Sequence, residues 1–187
     1  MPLLGAADPL PIVPRRVLVA GPSGSGKTTL AARIADALGA PHVEIDGLFH
    51  GPGWTRRPTF EDDVHRFSAA PAWVTEWQYT SVRAHLADQA DLLVWLDPPT
   101  ATVMRQVVRR TVVRRLRRRQ LWNGNVEPPL WTVLTDRDHI VRWAWRTRAK
   151  TATRVEELRQ RRPELPIVRL RGHAAADRWL RGPLRRA

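Results

Sequence analysis

The nine residues Gly21-Pro22-Ser23-Gly24-Ser25-Gly26-Lys27-Thr28-Thr29 constrain this chain more than any other stretch. An apolar run, Val17-Leu18-Val19-Ala20, precedes them, and a helical pattern from Leu30 to Leu38 follows. Strand, glycine-rich loop and helix thus come in order, and G-x-x-x-x-G-K-[ST] is satisfied at every fixed position. Gly21, Gly24 and Gly26 free the backbone for conformations that let successive N–H groups converge on phosphate oxygens. The helix beginning near Lys27 aims free N–H groups and the positive end of its dipole at the same oxygens. Lys27 has the length to reach the β- and γ-phosphates, and Thr28 is placed to ligate Mg²⁺. The expected phosphate-binding set is Gly21, Ser23, Gly24, Ser25, Gly26, Lys27, Thr28 and Thr29. The implied ligands are a nucleoside triphosphate, taken as ATP, and Mg²⁺.

At 187 residues the chain has the size of one domain with a real core. Residues 1–14 hold four prolines and no periodic pattern, so a loose arm is expected there, with a single domain over 15–187. The absence of cysteine excludes disulfides, thiolate metal sites and a thiol nucleophile. No secretory pattern opens the chain and no apolar run approaches a membrane span, which leads us to expect a cytoplasmic protein. The six histidines lack metal-ligand spacing, so no structural metal is expected. Nothing in the sequence specifies an oligomeric state.

Further along, Leu30, Ile34 and Leu38 form the buried stripe of the first helix, and Gly39 ends it. His42 to Asp46 reads as a strand, which puts Asp46 at its carboxyl end, where open α/β sheets form their ligand crevice. A helix is expected from Thr59 to Phe67, with Thr59 and Asp62 as a capping box. Trp73 to Glu76 is a third strand, Thr80 to Ala90 a helix, and Asp91 to Asp97 the most hydrophobic strand. One long basic helix follows from Thr100 to about Arg119, with Val103, Val107, Val112 and Leu116 as its apolar stripe. Asn123-Gly124-Asn125 is a turn, Asp136 to Gln160 a helix, Pro166 to Leu170 a fifth strand, and Ala174 to Leu180 a short helix. Alternating strands and helices imply a parallel sheet covered on both faces.

Several of these segments together resemble a bacterial family. They are the P-loop, Asp46, Gly51-Pro52-Gly53-Trp54, Trp73-Val74-Thr75-Glu76-Trp77-Gln78-Tyr79, Leu93-Val94-Trp95-Leu96-Asp97 and Asn123-Gly124-Asn125-Val126-Glu127. The family comprises the adenylate-kinase-related P-loop proteins of the topology-modulation (FlaR-like) type, and the similarity spans residues 15–175. It implies a nucleoside-monophosphate-kinase-like fold, with a five-stranded parallel sheet and an arginine-bearing lid at about residues 105–135. Two departures bear on the substrate. The family's third strand commonly ends Asp-Gly-Asn-Tyr, whereas here Glu76-Trp77-Gln78-Tyr79 stands. Thr100 follows Pro98-Pro99 where the family often has arginine.

P-loop enzymes need a strand-end carboxylate to hold Mg²⁺ or its water, and both Glu76 and Asp97 qualify. By resemblance Glu76 matches the position with that task, while Asp97 could instead cap the basic helix. Asp46 is a candidate to bind or deprotonate an acceptor hydroxyl; it would repel an acceptor phosphate unless an arginine intervened, and its alternative is a turn cap. The Arg105–Arg119 run holds eight arginines. By resemblance Arg105 and Arg109, one turn apart, are best placed to neutralise charge on a transferring phosphoryl group. Arg142 and Arg146, with Arg148, could close from the other side. Trp54 and Trp77 fall in loops over the expected acceptor pocket, where they could stack a base or sugar, or simply pack.

Two function classes follow. One is a kinase carrying the γ-phosphoryl of Mg·ATP to a small acceptor: a nucleotide, nucleoside or other hydroxyl metabolite. The other is a nucleotide-switched nucleic-acid-binding or regulatory protein. The net charge of +13, carried by arginine except at Lys27 and Lys150, would grip phosphates non-specifically in that case.

Overall fold

The computed structural model describes residues 3–116 and 150–186. Six parallel strands form one sheet: β1 (Leu3–Leu4), β2 (Arg16–Ala20), β3 (His42–Val43), β4 (Trp73–Glu76), β5 (Leu92–Leu96) and β6 (Ile167–Leu170). Their spatial order is β1-β6-β5-β2-β4-β3. The helices are α1 (Lys27–Leu38), α2 (Ile45–Phe49), α3 (Phe60–Ser68), α4 (Thr80–Gln89), α5 (Thr100–Leu116), α6 (Lys150–Arg161), α7 (His173–Arg181) and α8 (Pro183–Arg186).

The inner strands are continuous apolar runs because both of their faces are covered. Every residue of β5 is buried, as is β2 after Arg16. On one face Phe60, Val64, Trp73, Leu86, Val155 and Leu158 pack together. On the other, Leu30, Ile34, Trp179, Leu180 and Leu184 cover Val17, Val19 and Val94. Gly39 ends α1 in the left-handed conformation (φ 62°), its N–H donating to the Ala35 carbonyl.

Six strands stand where five are expected. The additional one, Leu3–Leu4, lies in the stretch read as a loose arm and pairs with Ile167 and Val168 at the sheet edge. A second correction concerns Asp46, which sits in the first turn of α2, not at a strand end. The ladder stops at Val43 because side chains of β4 capture the backbone. Thr75 Oγ1 donates to the Val43 carbonyl at 2.7 Å, and the Ile45 N–H donates to Glu76 Oε2 at 3.3 Å. Third, no capping box forms at Thr59: its hydroxyl donates to Asp63 Oδ2 at 2.9 Å. The Asn123 turn, most of the expected lid, Arg142, Arg146 and Arg148 lie outside the described residues.

β2 is the switch point, with β4 on one side and β5 on the other. The register sets Glu76 level with Val19, and Trp95 with Ala20. The loop leaving β2 therefore opens into the crevice at the carboxyl end of the sheet.

Candidate active site

The loop after β2 is shaped by close approach. Gly24 and Gly26 have φ of 81° and 93°, in the region that favours glycine. A Cβ on Gly21 would lie 2.6 Å from Ser25 Oγ, and one on Gly24 would lie 2.2 Å from Val107 Cγ2 on α5. Lys27 Nζ donates to the Pro22 carbonyl at 3.1 Å, curling back over the loop. Gly26 precedes α1 with no side-chain cap, and the positive end of the helix dipole lies at the loop. Ser25 Oγ is buried and has no hydrogen-bond partner.

Glu76 ends β4 and is 2% exposed. Burial acts to raise its carboxyl pKa. The His42 ring, the Ile45 N–H and the Thr28 hydroxyl outweigh burial and hold it below the ordinary carboxylate value. His42 Nε2 lies 3.4 Å from Glu76 Oε1 without hydrogen-bond geometry, and Glu76 Oε1 has no hydrogen-bond partner. Thr28 and Glu76 thus meet as two hard oxygen donors beside the phosphate loop. That pairing fits Mg²⁺, which takes one or two protein oxygens and completes its shell with phosphate and water. Among the described residues no cluster of three or more acidic, histidine or cysteine side chains forms a self-sufficient metal site.

Asp97 is differently engaged. It accepts from Arg169 Nε at 2.8 Å and from Arg169 Nη2, and that guanidinium lies 4.5 Å from the Trp95 ring centroid. The helix-capping alternative for Asp97 is replaced by this ion pair.

The acceptor side is built around Asp46. Its Oδ1 accepts from the Tyr79 hydroxyl at 2.6 Å and from Gln78 Nε2 at 3.1 Å. His50 Nε2 is 3.3 Å from the same hydroxyl. Burial lowers the His50 pKa despite the nearby Asp46 charge, which favours the neutral ring. Burial, then Asp46, raise the Tyr79 pKa, which keeps its proton on the phenol as a donor. Phe49 stacks on Tyr79 with centroids 4.0 Å apart, and Phe60 meets it edge-on. Tyr79 and Trp54 have φ of 54° and 61°, strain that costs about 1–2 kcal/mol at each non-glycine residue. Trp54 is 38% exposed and edge-on to His50. Trp77 takes the packing role: it is buried, and its Nε1 donates to the Arg83 carbonyl at 3.0 Å.

Arg105 and Arg109 are exposed on α5. Val103 and Val107 are buried, with Val107 against the loop. Two residues away along the helix, the arginines lie on roughly its opposite side. The structure therefore does not bring them to the phosphate loop. Gln106 instead reaches His173 Nε2 at 2.7 Å, and His173 sits beside Gly26. The residues for which sequence reasoning offered no role are Gln78, Tyr79, His42 and Gln106. Only the first two had a signal, as members of the stretch following Glu76.

The chain matches the model of the ATPase family associated with various cellular activities (AAA) over residues 17–53. It is 39% identical over 95 residues to a tRNA dimethylallyltransferase of Paracoccus denitrificans (strain Pd 1222), covering 49% of this chain and 30% of that protein. A cytidylate kinase of Nitratidesulfovibrio vulgaris (strain DP4) is 46% identical over 46 residues, 25% of this chain and 20% of that protein. The chain thus spans less than a third of the length of these curated relatives. Among solved structures, a gluconokinase from Sinorhizobium meliloti 1021 superposes with a TM-score of 0.51 at 21% identity, covering 94% of each chain. At that identity the likeness is one of fold. Sheet, loop and comparisons agree on a P-loop protein with a kinase-like α/β fold, a coarser assignment than the topology-modulation resemblance.

Proposed function

We propose that this protein is a kinase that transfers the γ-phosphoryl group of Mg·ATP to a hydroxyl of a small molecule. The observation that carries this reading is the continuity of side chains across the crevice. Glu76 Oε2 accepts from the N–H of Ile45, the residue before Asp46, and the Tyr79 hydroxyl, three residues after Glu76, donates to Asp46 Oδ1. A metal-side acid and an acceptor-side acid thus border one crevice, as in-line transfer requires.

In the reaction the acceptor oxygen forms a bond to the γ-phosphorus while the bond from that phosphorus to the β–γ bridging oxygen breaks. The acceptor proton passes to Asp46 and ADP leaves. Lys27 and the loop N–H groups hold the phosphates, and Tyr79 and Gln78 fix Asp46 toward the hydroxyl. Thr28 and Glu76 would hold Mg²⁺, which when bound neutralises phosphate charge. Arg142 and Arg146 remain candidates for the acceptor or lid side, and Arg105 and Arg109 would join them only if α5 turned. A cytoplasmic location belongs to the same reading.

A second reading, a nucleotide-switched nucleic-acid binder, is favoured by the +13 charge and the local likeness to a tRNA-modifying transferase. It requires duplex binding that weakens steeply with salt.

The deciding assay measures ADP release from Mg·ATP with pooled nucleoside monophosphates, nucleosides or polyols, for wild type and Lys27→Ala. Release stimulated by one pool and reduced by roughly a hundredfold or more in Lys27→Ala supports the kinase. Tight ATP binding with no stimulation by any pool refutes it and leaves the second reading.

A further inference from the structure

Two helices from different parts of the fold close on the phosphate loop. Val107 of α5 stands against Gly24, where an added Cβ would lie 2.2 Å from Val107 Cγ2 and 3.5 Å from the Val103 carbonyl oxygen. His173, the first residue of α7, stands against Gly26, where an added Cβ would lie 3.1 Å from its Cε1. Gln106, next to Val107, places its carboxamide nitrogen 2.7 Å from His173 Nε2. The two helices that press on the loop are thus hydrogen-bonded to each other, across 67 positions of sequence.

They are not equally anchored. Ala176, Trp179 and Leu180 set α7 into the core that covers Val17, Val19 and Val94. Among the described residues of α5, Val103 and Val107 with Met104 form a small cluster apart from both main cores. An element with so little buried apolar surface opens locally at low cost. The Gln106–His173 bond ties this lightly held helix to a firmly held one. Gly21 is positioned by the sheet, since an added Cβ there would lie 3.0 Å from the Leu96 carbonyl oxygen at the end of β5. At Gly24 and Gly26 the nearest atoms belong to α5 and α7 instead.

We propose that Gln106 and His173 are a positioning pair that keeps the phosphate loop in its nucleotide-binding shape. The pair acts through Val107 and the His173 ring, which brace the two left-handed glycines that orient the loop N–H groups. Such a role serves nucleotide binding at the loop, whether or not a phosphoryl group is then transferred.

The test follows hydrogen exchange by mass spectrometry in the full chain without nucleotide, comparing segment 21–29 with β5. The Ser25 N–H, which donates to the Pro22 carbonyl at 3.2 Å, reports on the loop. Gln106→Leu and His173→Leu should each speed exchange in 21–29 by roughly threefold to tenfold, the loss expected for one hydrogen bond, and leave β5 unchanged. The double variant should exchange no faster than the faster single one, because both changes remove the same bond. Gln106→Glu, which can accept from the ring tautomer with Nε2–H, should keep wild-type exchange. Mg·ATP affinity should fall by roughly threefold to tenfold in both leucine variants. Unchanged exchange in 21–29 overturns the pair, and so does an equal increase in β5, which would mark a general loss of stability. Effects that multiply in the double variant overturn it as well, since the two residues would then act separately. Faster loop exchange with unaltered ATP affinity removes the role in binding. The expected responses in a protein that no acceptor pool stimulates would uphold the pair while refuting the kinase.

Discussion

The Tyr79 hydroxyl donates to Asp46 Oδ1 at 2.6 Å, joining the loop after β4 to the first turn of α2. A hydrogen bond to a charged group contributes about 1.5–3 kcal/mol. Tyr79→Phe should therefore lower acceptor kcat/KM by roughly tenfold to a hundredfold. ATP affinity should hold, because Tyr79 does not touch the phosphate loop. Steady-state kinetics with both substrates varied checks this. A loss confined to ATP would place Tyr79 on the wrong side of the site.

The phosphate-loop motif was legible in the sequence because its pattern is local: glycines at fixed offsets, a lysine and a threonine. Glu76 was legible because it directly ends an apolar run. Asp46 was found but misplaced, since the strand it seemed to end is cut short by Thr75 and Glu76, about thirty residues later in the chain. No periodicity foretells such a long-range bond. Leu3–Leu4 was missed because two residues have no period, and only β6 makes them a strand. The side of α5 facing the loop was legible in Val103 and Val107, and those same positions turn Arg105 and Arg109 away.

Glu76 and Asp97 separate by their partners. Glu76 Oε1 is buried, unbonded and near Thr28, whereas Asp97 is occupied by Arg169. Glu76→Gln should raise the Mg²⁺ concentration for half-maximal ADP release by roughly tenfold or more, as expected on losing a metal-side charge. Asp97→Asn should leave that concentration alone and lower thermal stability by about 1 kcal/mol or less, since the pair is a third exposed. A Mg²⁺ titration of both variants decides; a shift in Asp97→Asn alone reverses the assignment.

Gly24 and Val107 bind the phosphate loop to α5. Gly24→Ala meets two obstacles: φ of 81° and a methyl contact at 2.2 Å with Val107 Cγ2. Destabilisation of about 1–3 kcal/mol is expected, with weaker ATP binding. Adding Val107→Ala should relieve the clash and leave the backbone strain, so recovery should be partial. Full recovery of the melting temperature would show that φ imposes no cost, and no recovery would show that α5 does not press on the loop.

His85 gives the fold a pH dependence of calculable sign. Its ring stacks on His65 at 4.2 Å, and Nε2 lies 2.8 Å from Ser68 Oγ. Burial lowers its pKa from 6.5, and His65 lowers it further, against a smaller opposing effect from Asp88. The unfolded chain therefore binds the proton more readily, so stability is full above about pH 6.5 and is lost as pH falls through the lower folded value. His50, shifted the same way, adds to the loss. Urea midpoints from pH 7.5 to 5 should fall in wild type and fall less steeply in His85→Gln, with the remaining slope carried by His50. Identical slopes in the two proteins would remove His85 as a cause.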